Sequence, residues 1–267
     1  MSDAAPENGE NREVTVRVNA VTKKFGSFEA VKGNSLELYA GEVFGFLGPN
    51  GAGKTTTIKM IGGLLKPDTG TVEICGIPMA TDPVAAKRML GYIPDRPFLY
   101  EKLTAWEFLR FIAGIYELPQ DTFNQRAERM LSLFGMMEWK DSLIDGFSHG
   151  MKQRVVMAAA FLHEPKVLIV DEPMVGLDPS GARLIKEVFK DWAARGKTVF
   201  LSTHTLEVAQ EVCDRIAILY KGEVLDMGTL DELRQRHASN ESSLEQVFLG
   251  MTGSRDSQAM IDALNET

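Results

Sequence analysis

The 267-residue chain has only two cysteines, and no uninterrupted apolar run is longer than Val155 to Leu162. A membrane-spanning helix needs about 20 apolar residues, so none is expected. Cys75 and Cys213 fall in separate predicted elements without metal-ligand spacing. That pattern argues for buried thiols rather than a disulfide, and for a reducing compartment. An excess of basic residues is also missing: 29 Lys and Arg face 37 Asp and Glu, a net charge of −8. Nucleic acid is therefore not expected as the main partner. No internal repeat or sustained heptad pattern is present. Met1 to Arg12 is polar, so residues 1–12 read as a disordered tail without a secretory leader. What is left is a chain 44% apolar, able to bury a substantial core and expected to be soluble and cytoplasmic.

The stretch Gly48-Pro49-Asn50-Gly51-Ala52-Gly53-Lys54-Thr55 reads G-x-x-x-x-G-K-[ST]. Val43 to Leu47 before it is an apolar run that reads as a buried strand, and Thr55 to Leu64 after it has helical spacing. Strand, glycine-rich turn and helix form the context in which backbone N–H groups converge on phosphate oxygens. The helix adds its positive end to the same anion. Lys54 is expected to reach the β- and γ-phosphates of a nucleoside triphosphate, and the Thr55 hydroxyl to ligate Mg²⁺. Thr56 is grouped with these phosphate-loop contacts.

Elsewhere, Val14 to Val18 and Leu36 to Leu38 alternate around a turn at Gly26-Ser27, which predicts half-buried antiparallel strands. Thr71 to Cys75 reads as another strand, and Gly91-Tyr-Ile-Pro-Asp95 as a break in the pattern. From Arg96 the chain turns helical, with a capping box at Thr104 and Glu107, a helix over Ala105 to Tyr116, and another over Phe123 to Phe134. This predicts a helical subdomain over about 96–147. Beyond it come a helix from Lys152 to His163, an apolar strand over Val167 to Val170, and a helix capped by Asp178-Pro179. A strand over Thr198 to Ser202, a helix to Cys213, a hairpin around Lys221-Gly222 and a helix capped by Thr229 and Glu232 complete the pattern. The fold class is α/β: a P-loop core with a mostly parallel sheet, an N-terminal antiparallel β layer and an inserted helical subdomain.

Asp171-Glu172 closes an apolar strand, where open α/β sheets place their ligands. With Lys54 and Thr55 in the same chain, Asp171 is expected to hold Mg²⁺ and Glu172 to polarise the water attacking the γ-phosphate. His204 also follows a strand directly; a lone histidine is more often a surface residue, but here it can donate to the γ-phosphate.

The phosphate loop, Ser148-His-Gly-Met151, Val167 to Glu172, Gly176-Leu-Asp178 and Ser202-Thr-His204 stand in order and spacing that resemble the ATP-binding subunits of ABC transporters. The resemblance runs from about Val14 to Met251, with the ATPase domain placed at 13–252 and a C-terminal tail at 253–267. It implies ATP and Mg²⁺ as ligands, catalytic roles for Glu172, His204 and Lys54, and two subunits closing head to tail around two ATPs. Ser148 and Gly150 are then implied to contact the partner subunit's γ-phosphate, and Asp178 to lie at the seam. Phe25 matches the aromatic that stacks on adenine, and Val31 is implied to touch the same base.

Three departures from the family pattern stand out. The signature reads Phe147-Ser-His-Gly-Met151 instead of Leu-Ser-Gly-Gly-Gln; Asp95 occupies the place of a metal- and γ-phosphate-sensing glutamine; Phe25 replaces a tyrosine. The resemblance further implies separate membrane permease subunits as partners and a position on the cytoplasmic face of the membrane. The segment Ser243 to Leu249 is similar to the drug- and polymer-exporting branch. An ABC ATPase acting on ribosomes or DNA is the alternative. A GTP-driven switch lacks its Asn-Lys-x-Asp motif.

Overall fold

The computed structural model describes residues 12–96, 98–174, 177–237 and 244–253. The tails expected at 1–12 and 253–267 therefore lie outside the described residues, apart from Arg12 and Gly253, as do Gly176 and Ser243 of the motifs above.

The alternating N-terminal residues become β1 (Val14–Phe25) and β2 (Phe28–Tyr39), paired antiparallel across the Gly26-Ser27 turn. After β3 (Val43–Leu47) and α1 (Lys54–Ile61), β4 (Thr69–Ile74) joins the free side of β1, and short β5 (Ile77–Pro78) joins β4. This layer has the order β2-β1-β4-β5.

A short helix, α2 (Pro83–Arg88), leads into β6 (Leu90–Ile93). The expected break over Gly91 to Asp95 is thus half wrong: Leu90 to Ile93 pair parallel with Val167 to Val170. Four residues are too few to show alternation, and the glycine within and the proline after them mimic a loop. Gly91 is there for space, since a Cβ on it would stand 2.6 Å from the Ala160 carbonyl oxygen.

The helical insertion contains α3 (Ala105–Ile115), closed by the predicted Thr104–Glu107 capping box, and α4 (Gln120–Leu133), which begins three residues before the expected Phe123. Phe108 and Leu109 are core, whereas Phe111 is exposed. Next, α5 spans His149–Phe161 rather than starting at Lys152. Ser148 is its N-cap, with the side chain accepting from the Met151 N–H at 3.3 Å.

The central sheet is completed by β7 (Val167–Asp171), α6 (Pro179–Ala194), β8 (Thr198–Thr203), α7 (Leu206–Val212), β9 (Arg215–Tyr220) and β10 (Glu223–Gly228), followed by α8 (Leu230–His237). Its order is β10-β9-β3-β8-β7-β6, parallel except for the β9–β10 hairpin. Strands β3, β7 and β8 are buried throughout, as expected for a parallel sheet covered on both faces. Phe44, Phe46, Ile169 and Phe200 pack toward α1 and the antiparallel layer, and Leu168, Val170, Val199 and Leu201 toward the helices. Burying each such side chain contributes roughly 1.5–3 kcal/mol. That two-sided burial fixes β3, β7 and β8 side by side, so their carboxyl ends open together on one edge.

Candidate nucleotide site

From the buried end of β3, the chain curls through Gly48 to Gly53 into α1. Gly53 has φ +106°, and a Cβ on it would stand 2.5 Å from the Ala30 carbonyl oxygen. Only glycine meets both conditions. The Lys54 side chain is 6% exposed, and its Nζ donates to the carbonyls of Gly48 at 2.7 Å and Pro49 at 3.2 Å. Ala52 is buried inside the curl. A buried ammonium hydrogen-bonded to two carbonyls, at the N-terminus of a helix, is matched to an anion entering the loop.

Asp171, at the end of β7, is 2% exposed. Its Oδ2 accepts from the Thr55 hydroxyl at 3.1 Å, and its Oδ1 from Ser202 on β8. The next residue, Glu172, holds φ +50°, a left-handed backbone that is uncommon for a side chain of this kind. Its Oε1 lies 3.0 Å from His204 Nδ1 and 3.6 Å from Lys54 Nζ. Neither contact is aligned as a hydrogen bond, and this buried oxygen has no hydrogen-bond partner. His204 is half exposed beside it. Burial, with Asp171 and Asp95 adding their charge, pushes the Tyr92 hydroxyl up to about 12.

These groups face a cleft of about 340 Å³ whose walls are Asn50, Gly51, Gly53, Lys54, Thr55, Thr56, Asp95, Asp171 and Glu172, with Phe25, Phe28 and Ala30 at one end. Asp95 is exposed within it. Phe25 and Phe28 are cross-strand partners, 51% and 62% exposed, and together make an aromatic lip. Phe28 was not expected, although its position just across the Gly26-Ser27 turn from Phe25 signals the pairing. Val31 corrects the expectation of a base contact: it is fully buried in the core between the sheets, and Ala30 reaches the cleft instead. Ser202 buttresses Asp171, a role that its place in the Ser202-Thr-His204 run does not reveal.

Ser148, Gly150 and Asp178 do not line this cleft. Ser148 is exposed at the start of α5. Asp178 caps α6, with Oδ1 accepting from Gly181 N at 3.2 Å and from Arg154 of α5 at 3.4 Å.

The cleft suits Mg²⁺ bound together with phosphate. Among the described residues no cluster of three or more His, Cys, Asp or Glu could enclose a metal by itself. Mg²⁺ is usually held by one or two carboxylates plus phosphate oxygens and water. Thr55, Asp171 and Asp95 offer that donor set.

A parallel sheet, a glycine-rich loop on a helix N-terminus and an acidic strand end define a P-loop nucleotide-binding domain. The ABC transporter family profile matches residues 31–175, and the chain belongs to that family, among its ATP-binding subunits. It is 43% identical over 206 residues to all4389, an ABC transporter ATP-binding protein of Nostoc sp. strain PCC 7120, covering 76% of this chain and 61% of that one. It is 37% identical to the probable multidrug ABC transporter ATP-binding protein YbhF of Escherichia coli K12, over 89% of this chain and 41% of YbhF. The linearmycin resistance ATP-binding protein LnrL of Bacillus subtilis 168 is 40% identical over 81% of this chain and 70% of LnrL. The chain thus spans less than two thirds of the length of the first two. Among solved structures, the ATP-binding subunit of an ABC transporter superposes with a TM-score of 0.85 at 35% identity, covering 89% of this chain and 99% of that one. The ATP-binding cassette MJ0796, a dimer bound to ADP and Pi, gives 0.75 at 29% identity, covering 80% and 98%.

Proposed function

We propose that this chain is the ATP-hydrolysing motor of an ABC exporter, closing head to tail with a second ATPase subunit around two ATPs and driving separate membrane subunits. The observation that carries this reading is a divided site. Lys54, Asp171, Glu172 and His204 gather at one cleft, while the exposed Ser148 and the half-buried Gly150 at the start of α5 lie outside it. A second copy facing the first brings each half to the other. The dimeric relative bound to ADP and Pi supports that arrangement.

Within one cleft, the loop amides and Lys54 hold the β- and γ-phosphates, and Phe25 stacks on the base with Phe28 beside it. Thr55, Asp171 and Asp95 would hold Mg²⁺, which when bound supplies positive charge to the phosphate oxygens. Glu172 Oε1, buried and without a hydrogen bond, accepts from the attacking water. Water oxygen bonds to the γ-phosphorus, the bond to the bridging β–γ oxygen breaks, and ADP and phosphate leave. His204 donates to the γ-phosphate and stays beside Glu172. The direction of transport is read from the relatives, whose names concern multidrug transport and linearmycin resistance. No described helix is long and apolar enough to cross a membrane. In this reading the motor sits on the cytoplasmic face, held there by its permease partners.

Lys54→Ala tests the site directly: ATP affinity should drop by at least about tenfold, a loss of roughly 1.4 kcal/mol. Unchanged affinity rejects the phosphate-loop assignment. Fractionation tests the transport role: the wild-type chain should co-purify with membranes, whereas recovery with ribosomes or nucleic acid overturns it.

A further inference from the structure

The edge strand β6 ends one residue before Pro94-Asp95, so its placement sets where Asp95 meets the cleft. Being terminal in the sheet, β6 is hydrogen-bonded to a strand only on its β7 side. Met89 turns its carbonyl toward β7, accepting from the N–H groups of Lys166 and Val167 at 3.0 Å each. The next carbonyl, that of Leu90, points the other way. There it accepts from the Tyr116 hydroxyl at 3.3 Å and from His163 Nε2 at 2.8 Å. A carbonyl only accepts, so Nε2 carries the proton and Nδ1 is bare. That Nδ1 is buried without a partner. The two rings stack face to face, with centroids 3.6 Å apart and planes 12° from parallel.

The two donors come from different places. Tyr116 is the C-cap of α3, in the helical insertion, and His163 follows α5. The stacked pair therefore ties the insertion to the outer edge of β6. A groove of about 510 Å³ lies above this tie, with Tyr92, Phe98, Tyr116 and His163 among its walls.

We infer that Tyr116 and His163 are positioning residues: by gripping the Leu90 carbonyl they fix β6 along its axis and so hold Asp95 at the nucleotide cleft. An extended strand is already near its full length at about 3.3 Å per residue, so it passes an axial shift on instead of absorbing it. Displacing the end of α3 then displaces Asp95, five residues beyond the grip. The inference rests on the reading of Asp95 as a metal-sensing residue.

The test uses the purified full chain and the Mg²⁺ concentration for half-maximal ATPase at fixed ATP. Tyr116→Phe keeps the stack and removes one donor. His163→Leu removes the ring and its donor; His163→Gln removes the ring but retains an amide donor. The double variant Tyr116→Phe/His163→Leu should move the Mg²⁺ requirement away from wild type by between about twofold and thirtyfold. His163→Gln should stay near wild type in Mg²⁺ requirement while losing as much melting temperature as His163→Leu. If the Mg²⁺ requirement instead follows melting temperature through the series, the pair is merely structural and the inference is overturned. It is overturned equally if the double variant keeps the wild-type curve while Asp95→Gln moves it. A wild-type curve for Asp95→Gln itself removes the reading of Asp95, and the grip then has nothing to position.

Discussion

The hydroxyl of Thr55 and Oδ2 of Asp171 are hydrogen-bonded at 3.1 Å, although 116 positions separate them in the chain. One stands on α1, after the phosphate loop; the other closes β7 on the far side of β8. The contact exists because the loop leaves β3 over the carboxyl edge of the sheet, where β7 also ends. Both groups offer oxygen, so once the hydroxyl turns its proton away a cation can be held between them without rebuilding the site.

Glu172→Gln separates binding from hydrolysis. The amide keeps the size of the side chain but is a poor acceptor for the proton of the attacking water. ATPase activity should fall by about a hundredfold or more, the scale of losing a general base, with ATP affinity within about twofold of wild type. Sizing in Mg²⁺-ATP should then show an accumulated dimer. Normal turnover would remove Glu172 from the mechanism.

Asp95→Gln restores a group that both donates and accepts where an ionised aspartate only accepts. On the proposed reading, Asp95 would repel the γ-phosphate without Mg²⁺, which ties productive closure to the cation. The glutamine variant should reach half-maximal ATPase at a lower Mg²⁺ concentration at fixed ATP. An identical curve in the two proteins places Asp95 outside the site.

Docking to the membrane partner should depend on the segment after Asp95. Phe98 is 90% exposed and Tyr100 58%, whereas Leu99 packs against the core. Large exposed aromatics beside a groove mark an interaction surface. Phe98→Glu and Tyr100→Glu should release the chain from membranes by fractionation while ATP affinity is unchanged. Full recovery of both variants with membranes would assign docking elsewhere.

His163 should make the fold sensitive to acid. Burial lowers its pKa from 6.5 to about 4, against the opposing pull of the Leu90 carbonyl. Below pH 6.5 the unfolded chain takes up a proton that the folded one refuses, so unfolding is favoured. The stability this group contributes is complete above 6.5 and is lost as pH falls toward 4. Urea midpoints measured from pH 7 to pH 4 should fall less steeply in His163→Gln than in wild type; parallel profiles would show that His163 accepts its proton in the folded state.

Much of the site was legible because it is built from short runs whose spacing is rigid. Gly48 to Thr55 can curl only one way around a phosphate, and Asp171-Glu172 is placed by the apolar strand before it. Strands with one face covered were legible by alternation, as in β1. Legibility ended where tertiary contacts decide. The edge strand β6 is too short to alternate, and it is recognisable only from its pairing with β7 and its grip by Tyr116 and His163. Val31 and Ala30 are neighbours in sequence beside a register shift in the β1–β2 pair, and only the packing shows which one meets the cleft. Helix starts slipped by three residues at α4 and α5. The first turn of α4 opens with the polar, exposed Gln120 and Asp121, and that of α5 with His149 and Gly150, so apolar periodicity begins later than the helix does.

The left-handed backbone at Glu172 sets catalysis against durability. The proposed mechanism needs a carboxylate at that point, but its Cβ makes the conformation costly by about 1–3 kcal/mol, and glycine would adopt it freely. Glycine at 172 would therefore relieve the turn and silence the enzyme in one change. A variant stabilised elsewhere, well away from the cleft, is the route to a tougher motor that still works.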